Sequence, residues 1–325
     1  MAFNKLLRQI AGSVAVACVA TGVLAQAAYP TKPVKIVVPY SAGGPADIYA
    51  RFIGDRLQKS LGQPFVIENR PGAGAIIGTD AVAKSSPDGY TLLMMSNTHT
   101  VNESLFTKKP YSLMRDLAPV SPVNYSDLLL VVHPSVLANN LKELIALAKS
   151  KPGALNYASS GPGTPYHMAG ELFKAMAGID VVHVPHKGSA EARTSVLAGN
   201  VQMMFDAITT MAPLAQAGKV RAIATSGKTR SSITPDVPTL DQAGLPGYDA
   251  VIWLGMMAPV STPKPIVDHL NSEIRKIASL PEVKDIWAKQ GAVPMYMTSA
   301  EFGKFMEQDI QKWAKVVAFS GAKID

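Results

Sequence analysis

Two hydrophobic rhythms alternate along the chain. Short runs of consecutive apolar, often β-branched residues occur at Lys35–Val38, Pro64–Glu68, Tyr90–Met95, Leu128–Val132, Leu155–Ala158, Val181–Pro185, Val201–Phe205 and Val220–Thr225. Such runs predict strands buried on both faces. Between them, apolar residues recur every three or four positions, as at Ile48, Phe52, Ile53 and Leu57, which predicts a helix over Pro45–Leu61. The same period predicts helices ending near Lys84, over Leu141–Ser150, Pro165–Ala177 and Ala190–Leu197, and from Asp206 to Ala217. Two more are expected in the tail, at Pro265–Ala278 and Ser299–Val317. Strand–helix alternation of this kind implies an α/β protein with parallel sheets and right-handed crossovers. Crossings between two lobes are expected near Pro119–Tyr125 and Lys228–Val251, with Tyr248–Ala258 an extended return segment.

Two strand-to-helix turns share one construction. In Val34–Asp47 a β-branched strand runs into Ser41-Ala-Gly-Gly44, then Pro45 at a first helical position and Asp47 two residues later. Proline suits that position because its missing N–H has no intrahelical partner there, and Asp47 can reach back to the cap N–H. In Leu155–His167 a strand runs into Ser159-Ser-Gly-Pro-Gly-Thr164, then Pro165 and, at the third helical position, His167. Each turn presents a helix N-terminus beyond a strand's carboxyl end, a natural seat for an anion. Two of them, more than a hundred residues apart, suggest two lobes facing one ligand.

The 325 residues allow two domains. Residues 1–27 have the layout of a secretory leader: Lys5 and Arg8, an apolar stretch from Ile10 to Leu24, and Ala25-Gln26-Ala27 as the cleavage site. The only cysteine, Cys18, lies inside that leader, and Ala15-Val16-Ala17 before it makes a poor lipobox. The mature chain is therefore expected to contain no disulfide, thiolate metal site or cysteine nucleophile. Without the leader, 29 basic residues face 24 acidic ones, a net of about +5. The cations are dispersed and not interleaved with aromatic residues, so nucleic acid is not an expected partner.

Catalytic patterns are missing. There is no Gly-x-Ser-x-Gly elbow and no Gly-x4-Gly-Lys-Ser/Thr loop. The Gly72–Gly78 run resembles a dinucleotide fingerprint, yet the acid about 20 residues on would be Asp88, which stands in a Pro-Asp-Gly turn. Close helix packing explains those glycines without a cofactor. His183 and His186 flank a strand end on opposite faces, so no metal is expected. What does recur at strand ends is a set of neutral hydrogen-bonding groups: Ser41, Asn97, Ser159, Ser160, Thr164 and His186, with Asp206 as the one fixed anion. Ligands of parallel α/β sheets bind outside the carboxyl ends of the strands, and no nucleophile–base pair is among these groups.

From about Tyr29 to Asp325 the chain resembles the extracytoplasmic solute-binding receptors of the tripartite tricarboxylate transporter family, the Bug receptors. The residues that carry the resemblance are Val38-Pro-Tyr-Ser-Ala-Gly-Gly-Pro-Ala-Asp-Ile-Tyr-Ala-Arg51, Glu68-Asn-Arg-Pro-Gly-Ala-Gly74, Ser86-Pro-Asp-Gly-Tyr-Thr-Leu92 and Asn156-Tyr-Ala-Ser-Ser-Gly161. It continues through His167-Met-Ala-Gly-Glu-Leu-Phe173, His183-Val-Pro-His-Lys-Gly188, Asp236-Val-Pro-Thr239 and Gly244-Leu-Pro-Gly-Tyr248. The resemblance implies a two-lobed, type II Venus-flytrap binding protein whose lobes are mostly parallel sheets flanked by helices. Lobe 1 would comprise residues 28–123 and 227–325, and lobe 2 residues 124–226.

It further implies a monomeric periplasmic receptor, not an enzyme, that needs no cofactor. Such a receptor holds a small organic carboxylate through backbone N–H groups and delivers it to membrane subunits of a transporter. The ligand-contacting residues implied are Tyr40, Ser41, Ala42, Gly43, Gly44, Asp47, Asn97, Ser159, Ser160, Gly161, Gly163, Thr164, His167, His186, Phe205 and Asp206. Tyr40 stands where the family often has Phe, Ala42 where it has Pro, and His186 where it has Tyr, so ligand identity is left open. Two other readings compete: a sensor subunit for a membrane signalling protein, and a secreted hydrolase or lyase using His167 and Asp206.

Overall fold

The computed structural model describes residues 29–321; the expected leader and Cys18 lie outside the described residues. The strands, in chain order, are β1 (Val34–Val38), β2 (Phe65–Asn69), β3 (Thr91–Ser96), β4 (Leu117–Ser126), β5 (Leu128–Val132), β6 (Asn156–Ser159), β7 (Val182–Pro185), β8 (Met203–Ala207), β9 (Arg221–Thr225), β10 (Ile252–Pro259) and β11 (Ala292–Pro294). They form two sheets, ordered β11-β4-β10-β3-β1-β2 and β7-β6-β8-β5-β9.

The helices are α1 (Pro45–Leu61), α2 (Ile76–Ala83), α3 (Thr98–Leu105), α4 (Leu113–Asp116), α5 (Leu141–Ser150), α6 (Pro165–Ala177), α7 (Ser189–Leu197), α8 (Ile208–Gln216), α9 (Lys264–Ser279), α10 (Pro281–Lys289) and α11 (Ser299–Ser320). The hydrophobic period finds most of them. It misses the short α4 and α10, and also α3, whose sequence Thr-His-Thr-Val-Asn-Glu-Ser-Leu is too polar to show a stripe, although six of its eight residues are buried.

The sheets are mixed rather than mostly parallel. Parallel pairing holds at β2-β1-β3 and at β7-β6-β8. The strands that carry the chain between lobes run the other way: β10 pairs antiparallel with β3 and β4, and β5 with β8 and β9. The reason is topological. The chain leaves the first sheet on β4 and re-enters it on β10, so outgoing and returning strands lie side by side in opposite directions. The outward step falls at Asp127, beyond the expected Pro119–Tyr125 stretch, because β4 stays paired with β10 as far as Ser126. Ser226 clamps the two crossings together. Its Oγ accepts the Leu128 N–H at 2.8 Å, its N–H donates to Leu128 O at 2.9 Å, and its carbonyl accepts from Ala250 N–H at 3.1 Å.

Each sheet is covered on both faces. In the first lobe, Ile36, Leu92 and Met94 pack with Ile53, Leu57, Ile274 and Trp287 on one side. On the other side Val37, Leu93 and Met95 pack with Trp253, Phe302 and Met306. In the second lobe, Tyr157, Phe173 and Phe205 form a core that also takes in Val101 and Leu105 of α3 and Trp313, Val316 and Val317 of α11. Thus α3 and the end of α11 follow first-lobe strands yet complete the second-lobe core. Buried Asp309 of α11 locks them together, accepting from Thr100 Oγ1 at 2.6 Å and from Trp253 Nε1 at 3.2 Å.

Gly170 in α6 shows packing overriding helix propensity. A methyl group there would lie 2.7 Å from Tyr157 Cζ and closer still to Cε2. An exposed helical Gly→Ala gains about 1 kcal/mol from propensity, whereas overpacking a core costs about 1–3 kcal/mol. Gly170→Ala is expected to lower the urea midpoint, a net loss of up to about 2 kcal/mol. An unchanged or higher midpoint would show that the Tyr157 ring yields freely.

Candidate functional site

The first tip follows β1. Gly43 takes φ +82°, a conformation that only glycine adopts without strain, and Gly44 is the extended N-cap of α1. Asp47, only 4% exposed, braces this loop rather than facing the gap. Its Oδ2 accepts the Gly43 N–H at 3.0 Å, one residue before the cap position expected from the sequence. Its Oδ1 accepts from Asn69 Nδ2 at 2.9 Å and pairs with Arg51 at 2.9 Å. Burial alone would raise the Asp47 carboxyl, but the hydrogen bonds from Arg51, Gly43 and Asn69 hold it below its usual range. Ser41, Ala42 and Gly43 remain exposed, and the first-turn N–H groups of Ala46 and Asp47 have no intrahelical acceptor.

Tyr40 anchors the tip to the start of α3. Thr79 Oγ1 donates to Ala75 O at 2.7 Å, so it accepts from His99 Nε2–H at 2.9 Å. His99 Nδ1 lies against the Ser96 backbone, 3.0 Å from its carbonyl oxygen and 3.3 Å from its N–H. Ser96 Oγ in turn donates to Thr98 Oγ1 at 3.1 Å, which makes the Tyr40 hydroxyl the donor to Ser96 Oγ at 2.6 Å. Burial pushes the Tyr40 phenol up to about 12 and the His99 imidazole down to about 4. Both groups are neutral over the physiological range.

The second tip uses many of its donors itself. Gly161 N–H donates to Ser159 Oγ at 3.1 Å, Gly163 N–H to His167 Nδ1 at 3.1 Å, and His167 N–H to the N-cap Thr164 Oγ1 at 3.4 Å. The expected open helix terminus is thus partly closed by its own side chains. Its remaining donors are the N–H and hydroxyl of half-buried Ser160 and the first-turn N–H of Tyr166. Beneath it His167, His183 and Tyr157 stack, with ring centroids 4.1 Å apart for the two histidines and 4.8 Å for His183 and Tyr157. Burial lowers His167 to about 4 and His183 to about 3.

Both tips meet on α3. Tyr40 engages Ser96 and His99 at its start, and a Cβ at Gly163 would lie 2.6 Å from Leu105 Cδ2 and 3.1 Å from Asn102 Oδ1. Gly163, at φ +75°, is therefore needed for both its backbone conformation and its close approach. Asn97 ties α3 to the second crossing, donating from Nδ2 to Val251 O at 3.1 Å. His186 lies over the second tip, its N–H bonded to Ser159 O at 3.0 Å.

Two sequence-derived candidates occupy other roles. Phe205 is fully buried in the second-lobe core between Phe173 and Tyr248, with centroids 6.0 and 6.1 Å away. Buried Asp206 accepts the Ala207 N–H at 2.8 Å and pairs with Arg193 Nε at 2.8 Å. Burial, only partly offset by Arg193, pushes its carboxyl up to about 6. Arg193 itself was not foreseen: it follows Ser189 by four positions on α7 in a stretch without a motif. Among the described residues no group of three or more His, Cys, Asp or Glu side chains could hold a metal ion.

Three imidazoles, buried His99 and His167 and half-buried His183, set a pH dependence. Their folded-state pKa values lie below the ordinary 6.5, so as pH falls the unfolded chain takes protons first and stability is lost between about pH 6.5 and 4. Asp127 and Asp206, raised by burial to about 6, and Asp309, raised likewise, oppose this below pH 6, so the net loss falls mainly in the upper part of the interval. Between pH 6.5 and 5 a fully buried histidine contributes about 2 kcal/mol of the loss. Urea midpoints are expected to fall over that interval, and His99→Gln to flatten the slope. An equal slope in the variant would refute the assignment.

The family model for the tripartite tricarboxylate transporter family receptor, TctC, matches residues 49–321. BugT of Bordetella pertussis is 38% identical, with 100% of each chain covered. A protein from the tcbD–tcbE intergenic region of a Pseudomonas species is 34% identical over 95% of this chain and 93% of its own. Among solved structures, Rpa4515 of R. palustris with adipate superposes at a TM-score of 0.86, with 32% identity, over 91% of this chain and 100% of that one. The periplasmic binding protein BugD gives 0.83, with 31% identity, over 91% and 99%. MatC of Rhodopseudomonas palustris with bound malate gives 0.82, with 32% identity, over 89% and 100%. With its two mixed sheets, two crossings and paired tips, this chain belongs to the tripartite tricarboxylate transporter receptor family, a family of solute-binding proteins rather than enzymes.

Proposed function

We propose that this chain is a periplasmic receptor that traps a small organic carboxylate between its lobes and delivers it to the membrane subunits of a tripartite tricarboxylate-type transporter. The observation that carries the reading is the first tip, where Ser41 and Ala42 are exposed, Gly44 has no side-chain cap and the Ala46 N–H no intrahelical acceptor, set against the second tip across α3. Backbone N–H groups at a helix start hold an anion without a cation. The donors of Ser160 and Tyr166 would close on the same group. The relatives' adipate and malate support a carboxylate as the ligand. Export is supported by the leader-like segment with Lys5, Arg8 and Ala25–Ala27, and by BugD's description as periplasmic. No helix among the described residues is long and apolar enough to cross a membrane. A monomer suffices for this role, since both tips come from one chain. The two clamped crossings are the natural hinge.

Thermal shift of the mature protein against mono-, di- and tricarboxylates tests the ligand class. A cognate acid at 100 times its Kd is expected to add about 2.7 kcal/mol of stability. No shift with any acid would overturn the reading. Delivery is checked separately, by carboxylate uptake in cells with and without the receptor.

A further inference from the structure

Resting on the carboxylate reading, the geometry assigns Arg193 as the residue that selects the far end of the ligand, so that the site takes a dicarboxylate in preference to a monocarboxylate. Asp206 lies near the carboxyl end of β8. That strand runs parallel to β6, and β6 leads straight into the second tip, so Asp206 and the tip emerge at the same edge of the sheet. The Arg193 guanidinium is held at this edge. Its Nε pairs with Asp206 Oδ2 at 2.8 Å, and one Nη donates to Ser189 Oγ at 3.3 Å. The arginine side chain keeps 25% of its surface exposed, whereas the carboxylate keeps 1%. Asp206 thus fixes the guanidinium from behind and leaves its other edge toward solvent.

Tyr166, the second residue of α6, connects this pair to the gap. Its phenol is raised by burial and by the charge of Asp206; Arg193 counters that rise, and Tyr40 of the opposite lobe adds to it. Arg193, Tyr166 and Tyr40 therefore share one electrostatic neighbourhood that spans both lobes. A guanidinium presents paired N–H donors in the geometry of a carboxylate. With one carboxylate on the tips, a second at the other end of a short chain would meet that open edge. A monocarboxylate would leave the edge unmatched.

The test is calorimetry with succinate against butyrate and adipate against hexanoate, on wild type, R193Q and R193K. Wild type is expected to favour at least one diacid over its length-matched monoacid by about tenfold or more. R193Q is expected to reduce that preference below about threefold with monoacid affinity retained, and R193K to restore part of it. Because R193Q strands a buried carboxylate, the double variant R193Q/D206N serves where R193Q does not fold. A wild type without the preference, or a folded variant that keeps it, overturns the assignment. Absence of binding by all four acids overturns the assignment, and the carboxylate reading falls with it only where the wider panel of mono-, di- and tricarboxylates also fails.

Discussion

The buried hydrogen-bond chain from Tyr40 through Ser96 to His99 and Thr79 sets the geometry of the cleft. Its imidazole sits with Nε2 on Thr79 and Nδ1 against the Ser96 backbone, and burial keeps it neutral. A protonated His99 would bring an uncompensated charge into a fully buried site. The chain fixes more than a side chain. It seats the first tip on the start of α3, and α3 is the helix on which the second tip also lies, through Gly163 against Leu105 and Asn102. A helix that follows a first-lobe strand but buries Val101 and Leu105 in the second-lobe core gives the two lobes a common reference.

The two tips look alike in sequence yet use their hydrogen-bonding capacity differently. At the first, one acid and one amide, Asp47 and Asn69, brace the loop from the side, and Asp47 takes up only the Gly43 N–H. At the second, the ring of His167 and the hydroxyls of Ser159 and Thr164 take up donors that the sequence pattern leaves open. The cause lies in residue type. A capping threonine and an accepting imidazole satisfy a helix terminus locally, and the terminus that starts at Gly44 has no side-chain cap. An anion placed between the tips would therefore be held asymmetrically, chiefly by the first lobe.

Much of the fold was legible because most strands are apolar runs and most helices carry an apolar stripe. The α/β alternation, the two tips and the helical tail follow from that patterning alone. What escaped detection depends on contacts between distant segments. The helix α3 is polar because its buried hydroxyls and His99 are satisfied by Ser96, Thr79 and Asp309 rather than by apolar packing, and no local period reveals that. The antiparallel return of β10 depends on the chain crossing twice between the lobes. In the site, the strand-end rule placed Ser41, Ser160 and Thr164 at the tips. The resemblance added Phe205 beside Asp206, yet its ring packs in the core, and a strand buried along its whole length gives no local sign of that. Arg193 lies 13 positions from Asp206 on another element, and only the folded chain brings them to 2.8 Å.

The charges around the gap are arranged so that none acts alone. His99, His167 and His183 are kept neutral by burial, Asp47 is matched by Arg51, and Asp206 by Arg193. Two isolated unit charges 4 Å apart would attract by about 4 kcal/mol at an effective dielectric near 20, enough to slow release by about a thousandfold. A receptor that must give up what it captures is better served by dipoles and by an already paired guanidinium, whose attraction for a ligand is reduced by its partner. On that reasoning the buried Asp206 is more than a counter-ion. By sharing the charge of Arg193 it moderates the hold on the ligand's far end, and the ease of opening then depends on the balance between two carboxylates, the protein's and the ligand's, competing for one guanidinium.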